Sequence, residues 1–264
     1  LRPQAGDVVV DCTLGLGGHS EALLERTSCS VIGLDRDPDA LERARVRLEQ
    51  YGDRFTAYHA CFSDLSRVLE AHGTLDVQGI LADLGVSSMQ LDQEARGFSF
   101  RNGGPVDMRM DPTAGRTAAD IVNTWSPEEL AHCIATYGEE RRARRVASAI
   151  VDGRPWSYTK ALASAVAKAV GGRRMKIHPA TRTFQALRIA VNDELGELER
   201  FLPIAVDHLA PGGRMAVISF HSLEDRLVKR FFRRESGRDA DRDPYGNPIG
   251  IFRLSAPSRS LTPS

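Results

Sequence analysis

The chain has 264 residues, 42% hydrophobic and 27% charged, an ordinary globular composition that excludes a disordered or collagen-like chain. Formal net charge is zero, and no apolar run approaches the ~18 residues a membrane helix needs, so no membrane partner is expected. Four dispersed cysteines (Cys12, Cys29, Cys61, Cys133) form no CxxC pair, which argues against a zinc site or disulfide framework and fits a reducing cytoplasm.

The first third alternates strand and helix patterns. Val8–Val10 is a short apolar strand ending at Asp11, followed by a glycine turn and a helix around Ser20–Arg26. Ser30–Leu34 is a second strand ending at Asp35, and Pro38 then opens a helix carrying Ala40, Leu41, Ala44 and Leu48 at helical spacing. Phe55–His59 is a third strand, Ser63 is placed to cap a helix through Leu69, and Val77–Leu84 is a fourth strand containing Asp83. Strands separated by helices predict a parallel sheet covered on both faces.

The alternation then stops. Phe98 to Gly115, rich in Gly, Pro, Asp and Met, reads as irregular. Helical patterns follow at Ala118–Asn123, Pro127–Tyr137, Glu139–Asp152, Tyr158–Val170 and Thr181–Val191, with Gly171-Gly172 and Pro179 as punctuation. A helix from Asp193 to Leu209, a strand from Arg214 to Phe220 and a helix from Ser222 to Arg234 resume the first pattern, and Gly237–Pro248 reads as a mobile polar loop. The pattern predicts one α/β domain, residues 1–105 and 192–264, interrupted by a helical insertion at 106–191. Between Glu139 and Arg188 twelve Arg and Lys residues stand against three Asp and Glu, so the insertion holds a basic segment suited to phosphate that the neutral total conceals.

Asp11 to Ser20 (DCTLGLGGHS) joins the first strand to the first helix. Its glycines let the backbone turn sharply and let a ligand come close to a helix N-terminus. The spacing is not GxGxxG, because Ser20 holds the sixth position, which weakens a dinucleotide reading. Asp35 suits the two hydroxyls of a ribose, so a nucleoside-containing cofactor is expected. Asp83 lies at the sheet edge where open α/β folds bind ligands, placed to hold an adenine amine, to orient an acceptor nitrogen or to cap a turn. Gln90 reaches the same crevice or is a solvated turn residue, and Phe62 either stacks on a purine or packs in the core.

These residues resemble the bacterial 16S ribosomal RNA cytosine-N4 methyltransferases of the MraW type, which use S-adenosylmethionine. The matching strings include DCTLGLGGHS, GLDRDPDAL (Gly33–Leu41), FSDL (Phe62–Leu65), DLGVSSMQLD (Asp83–Asp92), GFSFRNGGPVDMRMD (Gly97–Asp111), YGEERRARRVASAI (Tyr137–Ile150), TRTFQALRIAVNDEL (Thr181–Leu195) and VISFHSLEDRLVKRFF (Val217–Phe232). They run in order across nearly the whole chain. The resemblance implies a class I methyltransferase fold, a Rossmann-like, mostly parallel sheet with an inserted helical subdomain for substrate. It implies that Gly17, Gly18 and His19 lie against the methionine part of S-adenosylmethionine, that Asp35 binds the ribose, and that Phe62, Asp83 and Gln90 line the adenosine pocket. The implied partner is 16S rRNA in the small ribosomal subunit, at a cytosine of the decoding region, and a homodimer is one oligomeric state it allows. The resemblance also implies a short segment ahead of Leu1 and a basic continuation after the polar tail Leu261–Ser264, so the sequence reads as part of a longer protein.

The fourth strand ends Asp-Leu-Gly and not in a Pro-Pro-aromatic motif, so the group that handles the amine proton is not copied from other amino-methyltransferases. Asp83, Asp107 and His221 are the candidates, His221 having the alternative of steadying a strand–helix turn. An extruded base needs a stacking surface, for which Trp125 and Phe98 are candidates, core packing being the other reading of Trp125. Arg141, Arg142, Arg144 and Arg145 are read on one helix, with either Arg141, Arg144 and Arg145 or Arg142 and Arg145 as the phosphate-facing set, a solvated helix face being the other reading. A non-catalytic ribosome-assembly factor on the same fold and a DNA amino-methyltransferase are the competing readings.

Overall fold

The computed structural model describes residues 1–101, 103–113, 115–171, 177–242, 249 and 252–255. Gly172, residues 243–248 of the expected loop and the tail Leu261–Ser264 lie outside the described residues. The described chain divides into two compact units, one built from Leu1–Asp35, Arg43–Gly85 and Glu197–Ser264, the other from Arg36–Glu42 and Val86–Gly196.

The first unit is organised by β1 (Val8–Asp11), β2 (Ser30–Asp35), β3 (Phe55–His59), β4 (Val77–Asp83) and β5 (Leu209–Ile218), all parallel, in the order β3-β2-β1-β4-β5. The helices are α1 (Gly18–Arg26), α2 (Pro38–Leu48), α3 (Leu65–His72), α4 (Ser88–Asp92), α5 (Ala118–Thr124), α6 (Pro127–Gly138), α7 (Ala143–Asp152), α8 (Thr159–Val170), α9 (Thr181–Asn192), α10 (Glu194–Asp207) and α11 (Ser222–Glu235). Val10, Ile32, Leu34, Ile80 and Ala82 turn one sheet face toward Leu65 and Leu69 of α3, Phe201 and Leu202 of α10 and Val228 of α11. Their strand neighbours Val9, Val31 and Leu81 are buried on the opposite face, as a parallel sheet with both faces covered requires. This is the Rossmann-like fold that the strand–helix alternation and the family resemblance predict.

Two local differences have simple causes. β5 begins five residues before its predicted start, because Pro211-Gly212-Gly213 forms an irregularity in register between Val77 and Gly79 and does not end the pairing. The helix α3 begins at Leu65 after a short turn in which the Asp64 carboxylate takes the Cys61 amide, while the Ser63 hydroxyl bonds Glu197.

The second unit is helical. Thr117 with Asp120 and Ser126 with Glu129 close reciprocal caps that start α5 and α6, Pro127 filling the first helical position of α6. The irregular stretch between Phe98 and Gly115 contributes core: Phe98, Val106, Met108 and Met110 are buried with Ile121, Leu130, Val146, Leu162 and Leu187. Its path depends on Gly104, where a Cβ would sit 1.6 Å from the Glu94 carbonyl oxygen. Residues 86–105, grouped with the α/β domain in the sequence pattern, thus belong to this helical unit. None of the described helices is long and apolar enough to cross a membrane.

Candidate active site at the carboxyl edge of the sheet

The neighbouring strands β2, β1 and β4 each end in an aspartate: Asp35, Asp11 and Asp83. Between Asp11 and α1 the chain is stitched to both neighbours, the Cys12 amide donating to Leu81 O (2.8 Å) and the Leu14 amide to Leu34 O (2.9 Å). Gly17 precedes α1 with φ 79°, a left-handed conformation, and a Cβ there would lie 2.9 Å from Leu48 Cδ1. No side chain caps α1, so its first-turn amides face the loop side without a protein cap.

Each acid has a different task. The Asp35 carboxylate accepts from the Gly15 amide at 2.7 Å and so fixes the turn. The Asp83 amide donates to Thr13 Oγ1 at 2.6 Å, and Asp83 Oδ2 lies 3.2 Å from His19 Nε2. Its other oxygen, Oδ1, is buried and has no hydrogen-bond partner among the described residues. Asp11, fully enclosed, receives the Ser20 hydroxyl at 2.8 Å and the Thr13 amide at 3.3 Å. Burial pushes its carboxyl up to about 6 against the pull of the Ser20 and Thr13 hydrogen bonds. The sequence reading gave Asp11 no task, although an acid inside an apolar strand end facing a serine nine residues on is a readable signal.

Phe62 packs edge-on against Phe201, ring centres 5.1 Å apart, and is half-buried. Gln90 belongs to the helical unit, where its Oε1 takes the Ser87 amide and its Nε2 donates to Asp37 at 2.7 Å. Arg96 completes that buried group, 2.9 Å from Asp37, and also donates to the carbonyls of Arg109 and Met110. Gln90 is therefore no solvated turn residue.

The remaining candidates separate clearly. Both Asp107 oxygens are held by Arg109 at 2.8 Å. Burial raises the Asp107 carboxyl, but the Arg109 hydrogen bonds and charge outweigh it and hold the group below its ordinary value. His221 caps α11: its Nδ1 accepts the Glu224 amide at 3.4 Å, and its Nε2 lies 3.2 Å from Glu224 Oε1. Phe98 is core and offers no stacking face, a correction to the sequence reading. Trp125 is half-buried against the same core, with the Arg116 guanidinium 5.9 Å over its ring.

The four-arginine helix is also corrected. Glu139 ends α6 in a left-handed conformation and α7 starts only at Ala143, so Arg141 and Arg142 lie on the connection and Arg144 and Arg145 on the helix. Glu140 holds that connection by accepting the Arg142 amide at 2.9 Å, and the Arg142 guanidinium reaches the Gly171 carbonyl. Arg141, Arg144 and Arg145 are exposed.

Residues 1–262 match the sequence profile of the MraW methylase family. The chain belongs to that family. A relative from Thermomicrobium roseum named ribosomal RNA small subunit methyltransferase H is 52% identical over the whole of this chain and 82% of its own length. Proteins of the same name from Synechococcus elongatus and Syntrophotalea carbinolica are 55% and 54% identical, over 88% and 89% of this chain and 78% and 77% of theirs. The MraW-type resemblance drawn from the motifs is thereby established, and with it S-adenosylmethionine as the methyl donor of this methylase.

Proposed function

We propose that this MraW-family methylase transfers the methyl group of S-adenosylmethionine to the exocyclic N4 of a cytosine in the decoding region of 16S rRNA. The single observation that carries the reading is the edge of the sheet, where Asp35 holds the glycine turn at Gly15 and Asp83, two strands away, keeps a buried Oδ1 without a partner among the described residues. The donor set fits the cofactor: Asp35 supplies acceptors for a ribose diol, and the Gly17–His19 start of α1, where no side chain caps the helix, supplies amides for the methionine carboxylate. When bound, S-adenosylmethionine supplies an electrophilic methyl group on a sulfonium.

The protein's share is positioning and hydrogen-bond acceptance, because an in-line displacement demands alignment above all. A cytosine amine is a weak nucleophile, its lone pair being drawn into the ring. An acceptor on its N–H bonds favours rehybridisation toward attack, and Asp83 Oδ1 is a buried acceptor with capacity to spare. Asp107 is a poor competitor, since Arg109 occupies both oxygens, and His221 is committed to its helix cap. The 106–191 insertion is assigned to RNA recognition, Arg141, Arg144 and Arg145 to phosphates and Trp125 to stacking. Such an enzyme works in the cytoplasm, which its thiols, none of them paired, accommodate. A homodimer is part of the proposal, read by sedimentation.

The test is a tritiated-methyl assay on small-subunit RNA and on duplex DNA, followed by nucleoside analysis. N4-methylcytidine from the RNA is expected. Label in the DNA alone would overturn the substrate, and cofactor binding without transfer to either would favour an assembly factor.

A further inference from the structure

In the helical unit, α6 and α7 border a groove of about 910 Å³, lined by Pro127, Glu128, Ala131, His132 and Ala135 on one side and by residues 140–145 with Ser148 on the other. That volume is at the upper end of the roughly 300–1,000 Å³ of ligand clefts. The lining follows from helical spacing. Glu128, Ala131, His132 and Ala135 recur at i, i+3, i+4 and i+7 along α6, while Leu130, Cys133 and Ile134 turn to the core. Along the facing segment Arg141, Arg144, Arg145 and Ser148 repeat the same spacing, while Val146, Ala147 and Ile150 are buried.

Two features mark this groove as a binding surface. The guanidinium groups of Arg141, Arg144 and Arg145 have no hydrogen bond or ion pair among the described residues, and the same is true of the His132 ring. The basic face of α11 differs, because Lys229 is tied to Asp225 and Arg233 to Asp239. The floor is the second feature: Ala131, Ala135 and Ala143 keep it shallow and apolar beneath the arginine rim. An A-form duplex offers phosphates to such a rim but leaves the floor bare, since its bases are stacked inside. A single strand offers phosphates and an exposed base together.

We propose that the α6–α7 groove seats a single-stranded nucleotide segment of the RNA substrate, its phosphates on Arg141, Arg144 and Arg145 and a base on the alanine floor against the His132 ring. The assignment rests on the RNA-methylase reading above and adds to it the strandedness of the RNA and a base seat apart from the cofactor edge.

The experiment measures binding of a short fluorescein-labelled single-stranded RNA, and of a duplex of equal length, by anisotropy across a salt series. Arg144→Ala with Arg145→Ala is expected to weaken single-strand binding and to flatten its log–log salt slope by about 1.4, at ~0.7 per phosphate contact. Ala131→Leu with Ala135→Leu fills the floor at exposed or half-exposed helix positions; it is expected to weaken single-strand binding about 5- to 150-fold, to keep the salt slope and to spare the duplex. Unaltered single-strand affinity in the leucine variant, or equal losses for both RNAs, would overturn the assignment. Methyl transfer by the unsubstituted protein separates the two readings. If it methylates small-subunit RNA while both variants keep the KM for RNA, the groove assignment alone fails; if it methylates no RNA, the functional reading fails first. Circular dichroism melting of each variant confirms that the helices persist.

Discussion

His19 and Asp83, 64 residues apart in sequence, meet at the carboxyl edge of the sheet with Nε2 3.2 Å from Oδ2, leaving Asp83 Oδ1 enclosed and, among the described residues, unpartnered. A carboxylate held on one oxygen and open on the other can accept from a substrate amine without turning. Asp83→Asn keeps the backbone bond to Thr13 and the shape of the edge but replaces an acceptor by a donor or weakens it. The methyl-transfer rate is expected to fall by about 100-fold or more while the melting temperature stays within a few degrees. Single-turnover assays with saturating cofactor measure the rate.

Asp35 holds the Gly15 amide, and the proposed function gives the same carboxylate the ribose hydroxyls. Loss of a charge-assisted hydrogen bond costs about 1.5–3 kcal/mol, so Asp35→Ala is expected to weaken S-adenosylmethionine binding roughly 10- to 100-fold. Isothermal titration calorimetry reads the affinity. Asp35→Asn, which retains an acceptor for Gly15, is expected to lose less.

Asp11 makes stability depend on pH in an unusual direction. Its folded value of about 6 exceeds the ordinary 3.8, so the folded state holds the proton more tightly than the unfolded chain. The contribution is complete below pH 3.8 and is lost as pH rises through 6, about 3 kcal/mol in all at 1.36 kcal/mol per pH unit. Asp11→Asn removes the ionisation and retains partners for Ser20 and Thr13. Between pH 4 and 7 the variant is expected to gain stability relative to the parent, as urea unfolding at each pH will show. A constant difference across that range would refute the assignment.

Asp37, Gln90 and Arg96 form a buried polar group within the helical unit, joining the Arg36–Glu42 segment to the stretch after Val86. Asp37→Ala removes the carboxylate that faces Arg96 Nη1 at 2.9 Å and accepts from Gln90 Nε2, leaving Arg96 its two carbonyl acceptors and Asp39 at 3.6 Å. A loss of about 3–5 kcal/mol in urea unfolding is expected, as for breaking other buried pairs. A change below 1 kcal/mol would show that water replaces the carboxylate at no cost.

Much of this was legible because the determinants are local. The apolar runs ending at Asp11, Asp35 and Asp83 set β1, β2 and β4 and put the acids at one edge, since parallel strands align their ends. Less was legible where a long-range partner decides. Pro211-Gly212-Gly213 looks like a stop, but pairing with β4 carries β5 across it. Glu139 looks helical, yet its left-handed turn parts Arg141 and Arg142 from α7. Phe98 and Gln90 sit in polar, glycine-rich surroundings, and only the fold shows them buried. The separate natures of Asp107 and Asp83 depend on Arg109, two residues away, taking both oxygens of one, while His19, 64 residues away, meets only a single oxygen of the other.

The proposed function places the sulfonium donor against the Gly15–Gly17 turn with its ribose on Asp35. A crystal structure of the protein soaked with S-adenosylhomocysteine measures this directly. Ribose hydroxyls are expected within hydrogen-bond distance of the Asp35 carboxylate, with the amino-acid part beside Gly17 and His19. Ligand density elsewhere on the protein, with that edge closed by its own side chains, would contradict it.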